Sequence, residues 1–165
     1  MANPVTQHFF PPISHRLGLI ITGGISTFLL GSAIMFQYGI GLEPCDLCIQ
    51  QRWPHLAIII LSLIGLRGFM PRVMIRLITI AGIVSVAFGS YHAGIEYGFW
   101  PGPAGCSANL TLDTNIKILT DQLLAIPLAR CDEAVWSFLG LSMAGWNSLI
   151  SLDIIVVALI SNRCR

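Results

Sequence analysis

Four of the five cysteines form two pairs whose spacing differs. Cys45 and Cys48 make a C-x-x-C pair, whereas Cys106 and Cys131 lie 25 residues apart. A thiolate is both a nucleophile and a metal ligand, and two thiols can be oxidised to a disulfide. Each pair is therefore a candidate for redox exchange, for a structural disulfide or for metal binding.

The C-x-x-C spacing favours redox chemistry. Closing the short loop between Cys45 and Cys48 would contribute only about 1.9 kcal/mol before the strain of the small ring is subtracted. Thiols at helix termini, by contrast, acquire lowered pKa values. If a helix begins near Pro44, a residue type suited to the first helical position, Arg52 lies one turn after Cys48 on the same face. Its guanidinium would then stabilise a Cys48 thiolate.

A metal site is the third interpretation, and the spacing disfavours it. A zinc site would suit a second close cysteine pair or histidines, but Cys106 and Cys131 are far apart in the chain. Ile49 follows Cys48, so the C-x-x-C-H haem attachment motif is absent. We therefore expect no metal.

The second cysteine pair leaves two interpretations open. Closing the loop between Cys106 and Cys131 would contribute about 3.5 kcal/mol, which suits a structural disulfide. However, proline, glycine and aspartate lie near both cysteines and suggest an exposed loop. An exposed disulfide on a mobile loop is open to attack by an external thiolate.

The composition indicates an integral membrane protein. Of the 165 residues, 55% are hydrophobic and 10% are charged, whereas an ordinary soluble domain has roughly 25% charged residues. The mean hydropathy is +0.76. Nine basic against eight acidic residues leave no basic excess for nucleic acid. A disordered chain and a soluble globule are both inconsistent with these values.

Four apolar segments predict an all-α bundle of four transmembrane helices in a single domain, residues 1–165. The segments lie at about residues 17–40, 47–66, 77–95 and 139–160, and a span needs about 20 residues. The first is too long for the apolar core of a signal peptide and is followed by no cleavage pattern. The long loop at about 98–138 has apolar residues at helical spacing over residues 113–126, which predicts a short amphipathic helix.

The distribution of Lys and Arg predicts that both termini are cytoplasmic and that the two cysteine pairs lie on the outer side of the membrane. The side that carries both termini has six basic residues, and the opposite side has three, which orients the bundle in the lipid bilayer. The six are Arg16, Arg67, Arg72, Arg76, Arg163 and Arg165. In an oxidising compartment the four outer thiols should be paired, most simply as Cys45–Cys48 and Cys106–Cys131. Cys164, on the cytoplasmic side, is expected to be an inert thiol.

Two further polar residues lie in the apolar segments. His92 lies near the outer end of the third segment, at a depth similar to that of Cys48. It is either a packed interfacial histidine, or a ligand contact or proton relay. Asp153 lies within the fourth segment, where it faces a cavity or pairs with another polar group.

Together these motifs resemble the bacterial DsbB family over residues 17–160. The resemblance depends on Pro-Cys-Asp-Leu-Cys-Ile-Gln-Gln-Arg at 44–52, on Arg-Cys-Asp at 130–132 and on Trp-Ser-Phe-Leu-Gly-Leu-Ser-Met at 136–143. It implies a quinone-dependent thiol oxidase that keeps a periplasmic DsbA-like protein of the thioredoxin fold in its disulfide form. The implied electron acceptor is ubiquinone or menaquinone.

The resemblance also implies a role for each site residue. Cys106 would form the mixed disulfide with the reduced partner, and Cys131 would pair with Cys106 at rest and with Cys45 in an intermediate. Cys48 would be the thiolate that meets the quinone ring. Arg52 would hold the quinone, with His92 nearby. The chain departs from the family at Gln51, where some members carry an acid, and at Asp153.

Three alternatives remain from the sequence. The first is a related oxidase with a dedicated partner or substrate. The second is a reductase similar to the vitamin K epoxide reductase group, although that group carries its C-x-x-C near the end of the bundle. The third is a non-enzymatic membrane protein with four spans and structural disulfides.

Overall fold

The bundle consists of four long apolar helices, as the sequence predicts. A computed structural model describes residues 13–103, 106 and 129–163. The helices are α1 (His15–Met35), continued by one π-helical turn (Phe36–Ile40), the short α2 (Asp46–Gln50), α3 (Arg52–Leu66), α4 (Pro71–Glu96) and α5 (Met143–Asn162). Within these residues, four segments are long and apolar enough to span a membrane: His15–Ile40, Asp46–Leu66, Pro71–Glu96 and Met143–Asn162.

Small polar residues and branched aliphatic residues fill the space between the helices. Ile58, Ile78 and Ile154 are fully buried in the central cluster. Ser26, Ser85 and several other serines are also buried at the helix interfaces. Small side chains let the backbones of membrane helices approach closely. Large side chains such as Phe28, Leu63 and Ile80 point outward, where a lipid environment would meet them.

The two ends of the bundle are different. At one end the first and last helices meet, because the His15 ring contacts the Ser161 carbonyl at 2.8 Å and the Ser161 hydroxyl donates to the Ser14 carbonyl. Arg72 donates to His15 at the same end. The four cysteines at positions 45, 48, 106 and 131 gather at the other end, in a separate cluster with Leu47 and Ile95.

Two helices begin at residues that differ from those predicted by the hydropathy. Helix α4 starts at Pro71 rather than near residue 77, because proline is favourable in the first helical turn and charged residues are tolerated there. Helix α5 starts at Met143 rather than near residue 139. The apolar residues before it form a hairpin in which Ser137–Phe138 pairs with Leu141–Ser142.

The hairpin is held against the end of α4. Leu139 and Gly140 both have positive φ, 53° and 79°, as a tight two-residue hairpin turn requires. The Tyr97 hydroxyl donates to the Gly140 carbonyl and accepts from the Ser142 backbone N–H. The Ser142 side chain then caps α5 by accepting from the Gly145 N–H.

Three sequence predictions concern other parts of the chain. The amphipathic helix over residues 113–126 and Cys164 lie outside the described residues. Asp153 is exposed on the outer face of α5. The expectation that it faces a cavity or pairs with a polar group is wrong for the part of the chain that the structure describes, because no described residue hydrogen-bonds or ion-pairs with it there.

Candidate active site

The N-terminus of α2 brings the C-x-x-C sulfurs together. The Cys45 side chain caps the helix by accepting from the Cys48 backbone N–H at 3.3 Å. The two sulfurs are therefore one turn apart, 3.1 Å from each other. Both are free thiols in this structure, whereas the sequence predicts a Cys45–Cys48 disulfide for the oxidised protein. Cys45 is buried and Cys48 is partly exposed.

The hydrogen bonds around the pair stabilise negative charge on Cys45. The hydrogen bond from the Cys48 thiol is the main reason that the pKa of Cys45 lies well below its ordinary value, and the nearby His92 ring and the Cys48 backbone N–H lower it further. Burial opposes this shift, because a low-dielectric environment disfavours the charged form. The sequence predicts a thiolate at Cys48, and that assignment stays a prediction.

His92 is packed against the thiol pair and is only 2% exposed. Its Nε2 atom lies 3.6 Å from the Cys45 sulfur and 3.9 Å from the Glu96 carboxylate. Its Nδ1 atom is 2.7 Å from the Gln51 side-chain nitrogen. His92 is therefore packed, as the first sequence interpretation has it, and its role as a ligand contact or proton relay stays a prediction.

Arg52 lies at the start of α3, directly after the break at Gln51 that separates it from α2. Its Nη1 atom donates to the Gln37 side-chain oxygen at 2.6 Å. Its Nε atom is buried and has no hydrogen-bond partner among the described residues. A buried donor of this kind has free capacity for an oxygen acceptor from a bound molecule.

A cavity of about 560 Å³ opens beside Cys48 and Arg52. Aliphatic and aromatic side chains of α1, the hairpin and α5 form most of its wall. The polar lining includes Gln37, Gln51, His55, His92, Glu96 and Asn147, and the aromatic lining is Phe28, Phe36, Trp136, Phe138 and Trp146. An apolar pocket with a few convergent polar groups is typical of a small-molecule site.

The second cysteine pair is a disulfide that packs directly on the first pair. Cys106 and Cys131 are bonded, with 5.2 Å between their Cα atoms. They are 3% and 0% exposed, so the expectation of an exposed disulfide is wrong for this arrangement. The physical reason is that both sulfurs pack into the cluster with Cys45 at the end of α4.

The two pairs are close enough for exchange after a small movement. The Cys45 sulfur, the Cys131 sulfur and a His92 ring nitrogen all lie within 4.8 Å of one another. Three such atoms could in principle ligate a metal ion. Here Cys131 is bonded to Cys106, and a disulfide sulfur is not a thiolate ligand.

Ionic contacts fix the chain beside Cys131. Arg130 donates to both oxygens of Asp132, at 3.0 and 2.7 Å, and pairs with Glu133 at 3.0 Å. The Arg130 hydrogen bond is the main reason that the pKa of Asp132 lies below its ordinary value. These groups are partly exposed, so the pairs contribute more to geometry than to stability.

Sequence reasoning missed five polar residues around the thiols. They are Gln37, Gln51, His55, Glu96 and Asn147. Gln51 was noted in the sequence as a departure from the family, but its contact with His92 was not predicted. The signal that could have found them is their position within otherwise apolar spans, where polar groups are costly and most often functional.

Comparison with known proteins agrees with the geometry. The family model described as "Disulfide bond formation protein DsbB" matches residues 15–161. Proteins named Disulfide bond formation protein B are similar in Aromatoleum aromaticum (34% identity over 78% of this chain and 80% of the relative) and in Shewanella frigidimarina (33% identity, 80% and 79%). An uncharacterized protein, RP370, of Rickettsia prowazekii is 28% identical over 80% of this chain and 78% of its own.

The family match covers all four membrane-spanning helices and the two cysteine pairs. The relatives' shared name describes disulfide bond formation, for which the cysteines form a suitable redox-active centre. The chain therefore belongs to the DsbB family of disulfide bond formation proteins and is a multi-pass membrane disulfide oxidoreductase.

Proposed function

We propose that the protein is a thiol oxidase that transfers electrons from a reduced, periplasmic DsbA-like protein of the thioredoxin fold to membrane ubiquinone or menaquinone. The observation that carries the proposal is the cavity in which Cys48 and the free donor of Arg52 meet an apolar wall. The second cysteine pair is adjacent to the first, with the Cys131 sulfur within 4.8 Å of the Cys45 sulfur.

Electrons would enter through the Cys106–Cys131 disulfide. Once movement of the surrounding chain exposes the buried Cys106 sulfur, a thiolate of the reduced partner attacks it, and Cys131 leaves as a thiolate. Cys131 then attacks Cys45 of the oxidised C-x-x-C pair, and Cys48 leaves as a thiolate. The partner's second thiol resolves its mixed disulfide with Cys106, so the partner departs oxidised and the protein holds both electrons.

The cavity residues fit a quinone as the electron acceptor. When bound, a quinone accepts two electrons and two protons and leaves as the quinol. The Arg52 Nε atom is a buried donor available for a carbonyl oxygen, and the wall offers aromatic side chains such as Trp136 and Trp146. Transfer of the two electrons from the thiols restores the Cys45–Cys48 disulfide, and Cys106–Cys131 re-forms as Cys131 leaves Cys45.

The proposed orientation follows from the same site. The start of α1 and the end of α5 lie at the end of the bundle opposite the cysteines. With both termini in the cytoplasm and the protein in the inner membrane, the cysteine end faces the periplasm. A soluble periplasmic protein then meets Cys106, and a lipid-soluble quinone reaches the cavity from the bilayer.

The direct test is quinone reduction by the purified protein in detergent. A reduced DsbA-type protein is added with soluble ubiquinone or menaquinone, and the loss of quinone absorbance is followed. We expect rapid reduction that depends on the dithiol protein and is lost in Cys48→Ser. Cys164→Ser is the matched control, because the charge pattern of the sequence predicts this cysteine on the cytoplasmic side, away from the proposed path, and it should keep the wild-type rate.

Other outcomes would identify the alternatives. Reduction of a disulfide by added quinol, without the forward reaction, would indicate a reductase. Normal disulfide formation in cells that carry Cys48→Ser would indicate a non-enzymatic protein with structural disulfides. Failure with every quinone and every generic dithiol protein would contradict the proposed substrates and direct attention to a dedicated partner.

A further inference from the structure

A continuous chain of side-chain hydrogen bonds leads from the redox thiols into the middle of the bundle. From Cys45 it passes through four side chains, which we call the buried relay: His92, Gln51, Asn147 and His55. The His92 Nδ1 atom is 2.7 Å from the Gln51 nitrogen. The Asn147 nitrogen is 2.7 Å from the Gln51 oxygen, and the His55 Nε2 atom is 2.8 Å from the Asn147 oxygen.

The far end of the buried relay is held by hydroxyl groups from two other helices. The Ser26 hydroxyl of α1 is 3.3 Å from the His55 Nδ1 atom. The Ser85 hydroxyl of α4 is 3.2 Å from Nε2 and contacts Ser151 at 2.8 Å. His55 is 3% exposed, so its ring has little room to turn.

The two carboxamides impose one direction on these hydrogen bonds. A carboxamide donates through its nitrogen and accepts through its oxygen. The His55 Nε2–H therefore donates to Asn147, Asn147 donates to Gln51, and Gln51 donates to the His92 Nδ1 atom. A reversal at any one contact would leave two donors or two acceptors facing each other, at a cost typical of a lost buried hydrogen bond.

We infer that the buried relay fixes the tautomer of His92, so that the His92 proton lies on Nε2 and points at the Cys45 sulfur 3.6 Å away. In this tautomer His92 donates to a Cys45 thiolate. In the other tautomer an Nε2 lone pair would face that sulfur and repel its negative charge. His55 is then a positioning residue, since it acts on Cys45 only through the relay.

The relay orients the imidazole and does not conduct protons. The amide N–H groups of Gln51 and Asn147 are donors that do not ionise in this range, unlike a carboxyl group or an imidazole. A proton therefore cannot pass along the chain from His55 to His92. The relay transmits only the donor-to-acceptor order of its hydrogen bonds, which must be the same at all four side chains.

The test is nitrogen NMR of the full chain in detergent, labelled with ¹⁵N-histidine. Wild-type His92 should show a protonated Nε2 and an unprotonated Nδ1. Asn147→Leu cuts the relay and should give a mixture of both tautomers. Ser90→Ala is the matched control, because the Ser90 hydroxyl of α4 also contacts α5, at 2.8 Å from the Ser148 hydroxyl and outside the relay, and it should leave the His92 signals unchanged.

Two histidine variants give a second comparison that holds even if Asn147→Leu does not fold. His55→Gln keeps a nitrogen donor near the position of Nε2 and should retain the wild-type His92 signals. His55→Leu removes the donor and should give the mixture. The pH at which Cys45 alkylation in the reduced protein reaches half of its plateau should rise by about 0.3 pH units wherever the donor tautomer drops from nearly all molecules to about half, because the population that stabilises the thiolate falls about twofold.

Identical His92 signals in the wild type, Asn147→Leu and His55→Leu would overturn the inference. A change of the same size in Ser90→Ala would also overturn it, because the effect would then be general to the bundle. The inference rests on the proposed function in taking Cys45 as a redox thiol. Its NMR readout needs no turnover, so a failure of quinone reduction and a failure of the relay are seen separately.

Discussion

The positive charge of Arg52 can be neutralised by a substitution at its neighbour Gln37, which leaves Arg52 itself unchanged. The Gln37 oxygen already accepts from the Arg52 Nη1 atom at 2.6 Å. Gln37→Glu keeps the shape of the side chain and places a carboxylate at this contact. We expect the new ion pair to cancel the positive charge that Arg52 presents to the cavity and to hold the guanidinium on the α1 side.

The size of the effect follows from the geometry. Two unit charges about 4 Å apart attract by about 4 kcal/mol at an effective dielectric constant of about 20. That exceeds the roughly 1.5–3 kcal/mol that a hydrogen bond to a charged group contributes. The Arg52 Nε–H stays available to a quinone carbonyl, but with the charge cancelled this hydrogen bond contributes as a neutral one, about 0.5–1.5 kcal/mol. The loss of about 1–1.5 kcal/mol should lower kcat/KM for the quinone by about 5- to 13-fold.

Steady-state quinone reduction at varied quinone concentration measures this loss. Gln50→Glu is the matched control, because it adds the same charge at an exposed position of α2. The single-turnover exchange between a reduced dithiol protein and the Cys106–Cys131 disulfide should stay unchanged in Gln37→Glu. If kcat/KM for the quinone stays within twofold of the Gln50→Glu value, Arg52 does not act through its charge and this reasoning fails.

Three further predictions test packing and protonation. A Cβ on Gly89 would lie 3.1 Å from three Ser148 atoms, so Gly89→Leu should lower the free energy of unfolding by about 1–3 kcal/mol. Thermal unfolding measures this change, and Gly31→Leu is the control, because a Cβ on Gly31 meets no atom within 4 Å. Tyr97→Phe removes two hydrogen bonds to the hairpin and should lower the same quantity by about 1–3 kcal/mol; an unchanged midpoint would contradict the proposed anchoring. Because the pKa of Cys45 is lowered, its thiolate is already formed above that pKa, and its alkylation rate should be nearly constant from pH 6 to 8, whereas an ordinary cysteine of pKa about 8.5 accelerates about 75-fold.

Hydropathy was sufficient to predict the bundle because a lipid environment requires long apolar helices. It was insufficient at the helix starts. Helix α4 extends into residues such as Arg72 and Arg76, where charges end the apolar segment but not the helix. Residues 137–142 are apolar enough to be counted as span, and only the turn at Leu139 and Gly140, followed by the Ser142 cap, marks them as a hairpin.

The candidate site was only partly predictable for a related reason. The spacing of Cys45, Cys48 and Arg52 is local, so the sequence places them near one another. The contact of Arg52 with Gln37 and the contact of Asn147 with Gln51 join residues that are distant in the chain. Such pairs depend on which helix faces which, and neither composition nor periodicity contains that information.

The order of synthesis gives the buried relay a role in biogenesis. Gln51, His55 and His92 all precede the loop, but Asn147 is on α5, which leaves the ribosome after the other described helices. An insertion intermediate with only the first three long helices therefore holds both cysteines of the C-x-x-C motif without the contact that joins His55 to His92. The environment of the thiols is complete only after α5 has packed, so a chain that stalls before α5 inserts into the membrane does not carry the mature redox centre.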